Sequence, residues 1–149
     1  MPRTIAALLG VALLVPLAAF GQEKRPADVE TGQATAPLQA GRIARSQFTT
    51  RVVDREPVDR ISELTAAENR IFYFTELLDM TGQTITHRWV YNGEVMAEVS
   101  FTVGGPRWRV WSSKSLLPDW SGDWAVSVVD ENGEILGGNR FTYLPLRPN

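Results

Sequence analysis

One short segment of the chain combines basic and aromatic side chains in a pattern suited to binding. Arg107, Arg109 and Trp111 recur at every second position, and alternate residues of a β-strand point to the same side. Arg and Trp dominate binding hot spots, and a guanidinium can pair bidentately with a carboxylate or a phosphate. The residues that we predict to form a binding surface are Arg88, Arg107, Arg109, Trp111 and Lys114, with Trp120 as a second candidate in a following loop.

A structural interpretation of the same cations stays open. Long cationic side chains commonly cover exposed sheet surface. Glu76, Glu94 and Glu98 could lie across from the arginines as ordinary cross-strand pairs.

His87 is the only histidine, and the chain has no cysteine. An imidazole metal site normally needs further His or Cys ligands, so we expect no metal and no disulfide. Ser112 or Ser113 could serve as a nucleophile, but neither lies in a Gly-x-Ser-x-Gly pattern. We therefore expect His87 to pack beside Trp89 and to form a local hydrogen bond.

Carboxylates are numerous enough for a glycosidase-like pair. Such chemistry needs two carboxylates at a defined separation across a cleft, and a small domain has little room for one, so we expect these acids to be solvated. The sequence therefore predicts no enzyme and no cofactor. The candidate acids are Glu56, Asp59, Glu76, Glu94, Glu98, Asp119 and Asp123.

Regularly spaced turn signals from Phe48 onward predict the elements that position these residues. Asn92-Gly93 is typical of a type I′ hairpin turn, and Asn132-Gly133 repeats the pattern. The spacing predicts an all-β, small immunoglobulin-like antiparallel β-sandwich of about seven strands, with one helical turn in Asp59–Asn69. The predicted strands are Phe48–Arg55, Arg70–Leu78, Gln83–Tyr91, Glu94–Val103, Trp108–Ser113, Trp124–Asp130 and Ile135–Thr142.

Strand alternation also assigns the tryptophans to faces. Trp89, Trp108 and Trp124 are predicted to be the core anchors, because each can bury about 150–250 Å² of surface. The arginines of the same strands would then point outward together.

The N-terminal residues resemble an export leader. Arg3 precedes an uncharged, almost wholly apolar run, Ile5–Phe20, and Ala19-Phe20-Gly21 resembles a cleavage site. We predict a signal peptide at 1–21, a flexible linker at 22–46 and the β-sandwich at 47–149. The protein would be exported to the periplasm or the extracellular space, with a membrane association only if the leader is not cleaved.

Seven short strings follow one another along the predicted domain: Arg55-Glu56-Pro57-Val58, Phe74-Thr75-Glu76-Leu77, Thr86-His87-Arg88-Trp89, Tyr91-Asn92-Gly93, Arg107-Trp108-Arg109, Trp111-Ser112-Ser113-Lys114 and Trp120-Ser121-Gly122-Asp123-Trp124. From about Phe48 to Tyr143 their order and spacing resemble the bacterial family called domain of unknown function 2914. The resemblance implies a bacterial domain of about this size and implies no reaction and no known site residues.

Charge and composition narrow the choice of partner. Residues 47–149 hold ten Lys or Arg against fourteen Asp or Glu, the wrong sign for attracting nucleic acid. We therefore predict an exported, non-enzymatic interaction module of the bacterial envelope that binds a protein partner or an envelope polymer.

One alternative is a carbohydrate-binding domain with Trp111 or Trp120 as a stacking platform. Another is a small envelope hydrolase that uses His87 or two facing carboxylates.

Overall fold

The computed structural model of the protein describes residues 40–146, which form ten β-strands and their connections. These residues contain no helix that could span a membrane. The predicted signal peptide and most of the predicted linker lie outside the described residues. The strands are β1 (Arg42–Thr49), β2 (Val52–Val53), β3 (Glu56–Pro57), β4 (Glu63–Thr65), β5 (Arg70–Leu78), β6 (Thr84–Tyr91), β7 (Glu94–Thr102), β8 (Arg107–Ser115), β9 (Gly122–Val129) and β10 (Ile135–Leu144).

Two sheets pack face to face. The first has three antiparallel strands in the order β1-β5-β8, and the second has five in the order β4-β10-β9-β6-β7. All pairings are antiparallel except the short one between β10 and β4, as expected when most connections are too short for a crossover. The predicted all-β antiparallel sandwich is therefore confirmed. A separate hairpin joins β2 and β3.

The start of the domain differs from the prediction. β1 begins at Arg42, inside the segment predicted as linker, and ends at Thr49 rather than at Arg55. The chain then reverses through Asp54 and Arg55, which have φ values of 51° and 65°. This turn contains no glycine or proline, and Asp54 is its only residue of a type common in turns.

The helical turn predicted in Asp59–Asn69 is wrong. β4 occupies part of this segment and pairs with the C-terminal end of β10, so that Leu64 lies beside Tyr143. Ile61 forms an isolated bridge with Phe48. The spacing of Ile61 and Leu64 therefore reflects two separate contacts with the core rather than one face of a helix.

The two predicted hairpin turns have different geometries. Asn92 and Gly93 both have positive φ, 49° and 82°, as a type I′ turn requires. Of the second pair, only Gly133 has a positive φ, and its N–H donates to the carbonyl of Asp130 at 3.1 Å. The second loop is therefore a type I turn followed by a left-handed glycine, which corrects the predicted repeat of type I′.

The core lies between the two sheets. Trp89 and Trp124 are 0% and 1% exposed, so both are the core anchors that the alternation predicted. Trp108 also faces the other sheet but is only partly buried at its edge. A Cβ atom added at Gly104 would lie 2.7 Å from the end of the Trp108 ring. The indole therefore occupies space that only a glycine leaves free.

Candidate binding surface

The candidate binding surface lies on the outer face of the three-stranded sheet. β8 pairs with β5 so that Trp111 lies opposite Phe74 and Arg109 opposite Glu76. Because opposite residues of paired strands share a face, these four side chains and Arg107 lie on the side away from the core. The predicted alternation of β8 is thus correct.

Glu76 is the centre of this face. Its carboxylate accepts hydrogen bonds from Arg107 Nε at 2.7 Å, Arg45 Nη2 at 2.8 Å and Arg109 Nε at 3.3 Å, and its side chain is only 8% exposed. The hydrogen bond from Arg107, supported by Arg45, lowers the pKa of Glu76 to about 2 although burial acts in the opposite direction. We call Arg45, Arg107 and Arg109 the arginine cluster.

A second carboxylate ties the β2–β3 hairpin to the arginine cluster. Glu56 accepts from Arg45 Nη2 at 2.7 Å and pairs with Arg109 Nη1 at 2.9 Å. The hydrogen bond to Glu56 is the main cause that raises the pKa of Arg45. Beneath the cluster Phe74 is fully buried, with the Arg45 guanidinium 5.0 Å from the centre of its ring. Three guanidinium groups therefore share two carboxylates, and the Phe74 ring lies beneath the guanidinium of Arg45.

Arg55 approaches the edge of this face from the hairpin turn. Its guanidinium carbon lies 5.8 Å from the centre of the Trp108 ring. A depression of about 290 Å³ lies here, lined by Arg55, Arg107, Trp108 and Arg109. Sequence reasoning assigned no function to Arg45 or Arg55, because it placed Arg45 in a linker and Arg55 at a strand end.

Trp111 is the exposed aromatic residue of the same face. It is 37% exposed, which agrees with its predicted outward position. It borders a second depression of about 330 Å³, lined also by Phe101, Thr102, Trp108, Arg109 and Val110. A planar ring at the margin of an apolar depression can make a flat contact with a ligand.

Arg88 does not belong to this surface, which corrects the predicted grouping. It lies on β6, on the outer face of the five-stranded sheet, and its Nε donates to Glu98 at 2.6 Å. The two outer faces lie on opposite sides of the sandwich. The cross-strand pairs of the alternative interpretation are therefore present for Arg88 opposite Glu98 and for Arg109 opposite Glu76.

Lys114 and Trp120 also lie apart from the arginine cluster. Lys114 has the same orientation on β8 as Trp108, and its Nζ is 5.6 Å from the centre of the Trp120 ring. Trp120 is partly buried, and its carbonyl accepts a hydrogen bond from Trp124 Nε1 at 3.0 Å. These two side chains therefore cover an edge of the core rather than extend the outer face.

His87 bridges the two sheets inside the core. It is fully buried, with Nε2 2.5 Å from Thr75 Oγ1 and Nδ1 2.9 Å from Ser112 Oγ, and Trp89 Nε1 donates to the same Ser112 hydroxyl at 3.0 Å. Burial lowers the pKa of His87 to about 3. The expected position beside Trp89 is confirmed, but the hydrogen bonds reach the opposite sheet rather than a local partner. A ring enclosed in this way has no access to a substrate.

The acidic residues of residues 40–146 form no group of three or more ligands placed to hold a metal ion. Two carboxylates of the outer face, Glu56 and Glu76, are both engaged by arginines. They are thus arranged to hold guanidinium groups.

Comparison with known proteins finds a resemblance to one family over part of the chain. The chain matches no curated protein. A family model described as "Protein of unknown function (DUF2914)" matches residues 82–143, which include Arg88, Arg107, Arg109 and Trp111, whereas Glu56 and Glu76 precede the match. Over residues 82–143 the chain therefore resembles the DUF2914 family, as its tryptophan and arginine motifs predicted.

Proposed function

We propose that this domain is a non-enzymatic binding module that contacts an anionic partner through Arg107, Arg109 and Trp111. We call these three residues the arginine–tryptophan face. The observation that supports the proposal is the imbalance of charge, since the arginine cluster supplies three cations to the two carboxylates Glu56 and Glu76.

The face combines accessible donors with fixed geometry. The Arg107 side chain is 60% exposed although its Nε is held by Glu76, so its terminal amino groups remain available to a ligand. Arg109 is held by both carboxylates and is 24% exposed. Because the guanidinium groups are already oriented, these side chains would lose less conformational entropy when a partner binds.

We also propose that the protein acts outside the cytoplasm. The apolar run after Arg3 supports export to the periplasm or the extracellular space. We therefore propose a protein or an acidic polymer of the bacterial envelope as the partner.

Carbohydrate binding is a second candidate, supported by the exposed ring of Trp111 beside its depression. Trp120 supports it less, because Lys114 covers its ring. A glycan array separates the candidates: binding of neutral sugars that is lost in Trp111→Ser and retained in Arg107→Gln would favour carbohydrate recognition.

Capture of envelope components tests the leading proposal. The immobilised wild-type domain, Arg107→Gln and Trp111→Ser are compared with Arg88→Gln, which removes a cation from the opposite face. We expect the first two variants to lose components that high salt elutes from the wild type, because exposed charge interactions are screened. Equal capture by all variants, with folding verified by near-UV circular dichroism, would contradict the proposal.

A further inference from the structure

The depression next to the β2–β3 turn contains cationic groups that no carboxylate of residues 40–146 neutralises fully. Arg107 uses Nε to reach Glu76, which leaves its terminal amino groups. Arg55 contacts the Trp108 ring and forms no ion pair with the acids of the described segment. Arg109, the third cation of the lining, has both Nε and Nη1 engaged. Two guanidinium groups therefore keep free N–H donors at one opening.

The backbone that presents Arg55 is strained. Asp54 and Arg55 both lie in the left-handed region, with φ of 51° and 65°. Aspartate tolerates this conformation, but at Arg55 it costs of the order of 1–3 kcal/mol. Glycine would adopt the same turn without this cost. The hairpin stays in place because Glu56, the next residue, pairs with Arg45 and Arg109. Strain kept in this way is typical of functional positions.

The Trp108 indole forms an apolar wall beside these cations. Gly104 lies against one end of the ring, since a Cβ there would be 2.7 Å from it, while Arg55 lies over the ring face. The ring is thus confined next to the donors. A ligand group that carries both an oxyanion and an apolar surface would match the two halves of the depression.

We propose that Arg55, Arg107 and the Trp108 indole form a recognition subsite for a peptide carboxylate that adjoins an apolar or aromatic group. The inference depends on the proposed function, because it names the ligand class of the same face. The guanidinium fork matches the planar carboxylate, to which it can donate two parallel hydrogen bonds. The volume of about 290 Å³ accommodates a carboxylate and one neighbouring side chain. The carboxylate can belong to a C-terminus or to an acidic side chain.

Titrations followed by NMR of the indole and arginine N–H signals test the subsite. The probes are N-acetylphenylalanine for a C-terminal carboxylate and N-acetyl-Phe-Glu-amide for a side-chain carboxylate. N-acetylphenylalaninamide is the uncharged control, and phenyl phosphate tests the class of anion. We expect one of the two carboxylate probes to shift the Trp108 and Arg107 signals saturably, and the probe that binds identifies the source. Equal binding of the amide, silence of both carboxylates, or tighter binding of phenyl phosphate would overturn the proposal.

Variants assign any binding to this place on the surface. Arg55→Gln changes an exposed turn and should weaken the carboxylate probe about tenfold, the effect of losing one hydrogen bond to a charged group. Gly104→Ala, which displaces the Trp108 ring, should weaken it as well. Arg88→Gln on the opposite face is the matched control. Unchanged affinity in Arg55→Gln would refute the subsite.

The outcomes also separate the subsite from the wider proposal. If Trp111→Ser abolishes capture of envelope components while Arg55→Gln changes neither capture nor probe binding, the subsite is wrong and the proposed function stands. If the carboxylate probe binds in an Arg55-dependent manner while Trp111→Ser and Arg107→Gln retain full capture, the proposed use of the whole face is wrong.

Discussion

The arginines on the two outer faces of the sandwich differ in the ratio of cations to acidic partners. On the five-stranded sheet Arg88 has one partner, Glu98, and both side chains are substantially exposed, at 34% and 47%. On the three-stranded sheet three guanidinium groups converge on Glu76, which is 8% exposed, and two of them also reach Glu56. The first arrangement is balanced in charge, and the second keeps a cationic excess. The presence of an arginine is therefore a weaker indicator of binding than the ratio of cations to acids around it.

Strand register explains the difference. The β6–β7 hairpin places Arg88 directly opposite Glu98, which provides one acid for one cation. On the other sheet, the outward residues of β5 include Phe74 and Glu76 but offer only one acid to Arg107 and Arg109 of β8. The cations there must share it, and a second acid reaches them only from the β2–β3 hairpin.

The largest expected effect comes from removing the shared acid. Glu76→Gln should lower the free energy of unfolding by about 2–4 kcal/mol, because partly buried guanidinium groups lose their counter-charge. Glu98→Gln should cost less than about 1 kcal/mol, as expected for an exposed pair. Urea unfolding of both variants measures these values. Similar losses for the two would mean that the faces do not differ energetically.

Acid titration of Glu76 should change the free energy of unfolding by a smaller amount. The pKa of Glu76 falls from its usual 4.5 to about 2 in the folded protein, so its stabilisation is complete above about pH 4.5 and is lost as the pH falls towards 2. The loss should be on the order of 1–2 kcal/mol, since water screens the exposed Arg107. It is measured as the difference between wild type and Glu76→Gln.

The slope below pH 4.5 is compared between the wild type and Glu76→Gln. Both proteins contain His87, so its contribution is the same in each. Its pKa falls from 6.5 to about 3 on folding, so its stabilisation is present above pH 6.5 and is lost between pH 6.5 and 3. A Glu76→Gln variant with an unchanged slope below pH 4.5 would contradict the low pKa of Glu76.

The smallest effect concerns the Arg88–Glu98 pair itself. A double-mutant cycle with Arg88→Gln and Glu98→Gln should give a coupling free energy of about 0.2–1 kcal/mol that disappears in high salt. A larger, salt-resistant coupling would show that this face also contains a strongly held pair. The two faces would then not differ in how strongly they hold their ion pairs.

The sequence predicts the direction of the side chains along each strand better than it predicts how the strands are arranged in sheets. Side-chain alternation correctly places Trp89 and Trp124 inside and Arg109 and Trp111 outside. Alternation specifies a face of a strand but not the sheet to which the strand belongs, so it could not separate Arg88 from the arginines of β8.

Edge positions and irregular turns explain the other differences. Trp108 has the predicted inward orientation but lies where the sheet ends, so the core covers it only partly. Arg45 lies on an edge strand whose apolar pattern is too weak to distinguish from a linker. The Asp54-Arg55 turn contains neither glycine nor proline, so Asp54 is the only turn-favouring residue that marks the hairpin that brings Glu56 to the arginine cluster.

The polar bridge through His87 has a consequence for the outer surface. The ring contacts Thr75 on β5 and Ser112 on β8, so sliding one layer of the sandwich by a residue would leave several buried polar atoms unsatisfied, each at a cost of about 1–3 kcal/mol. The imidazole therefore sets the alignment of the two sheets. This alignment in turn determines where the outward side chains of β5 and β8 lie.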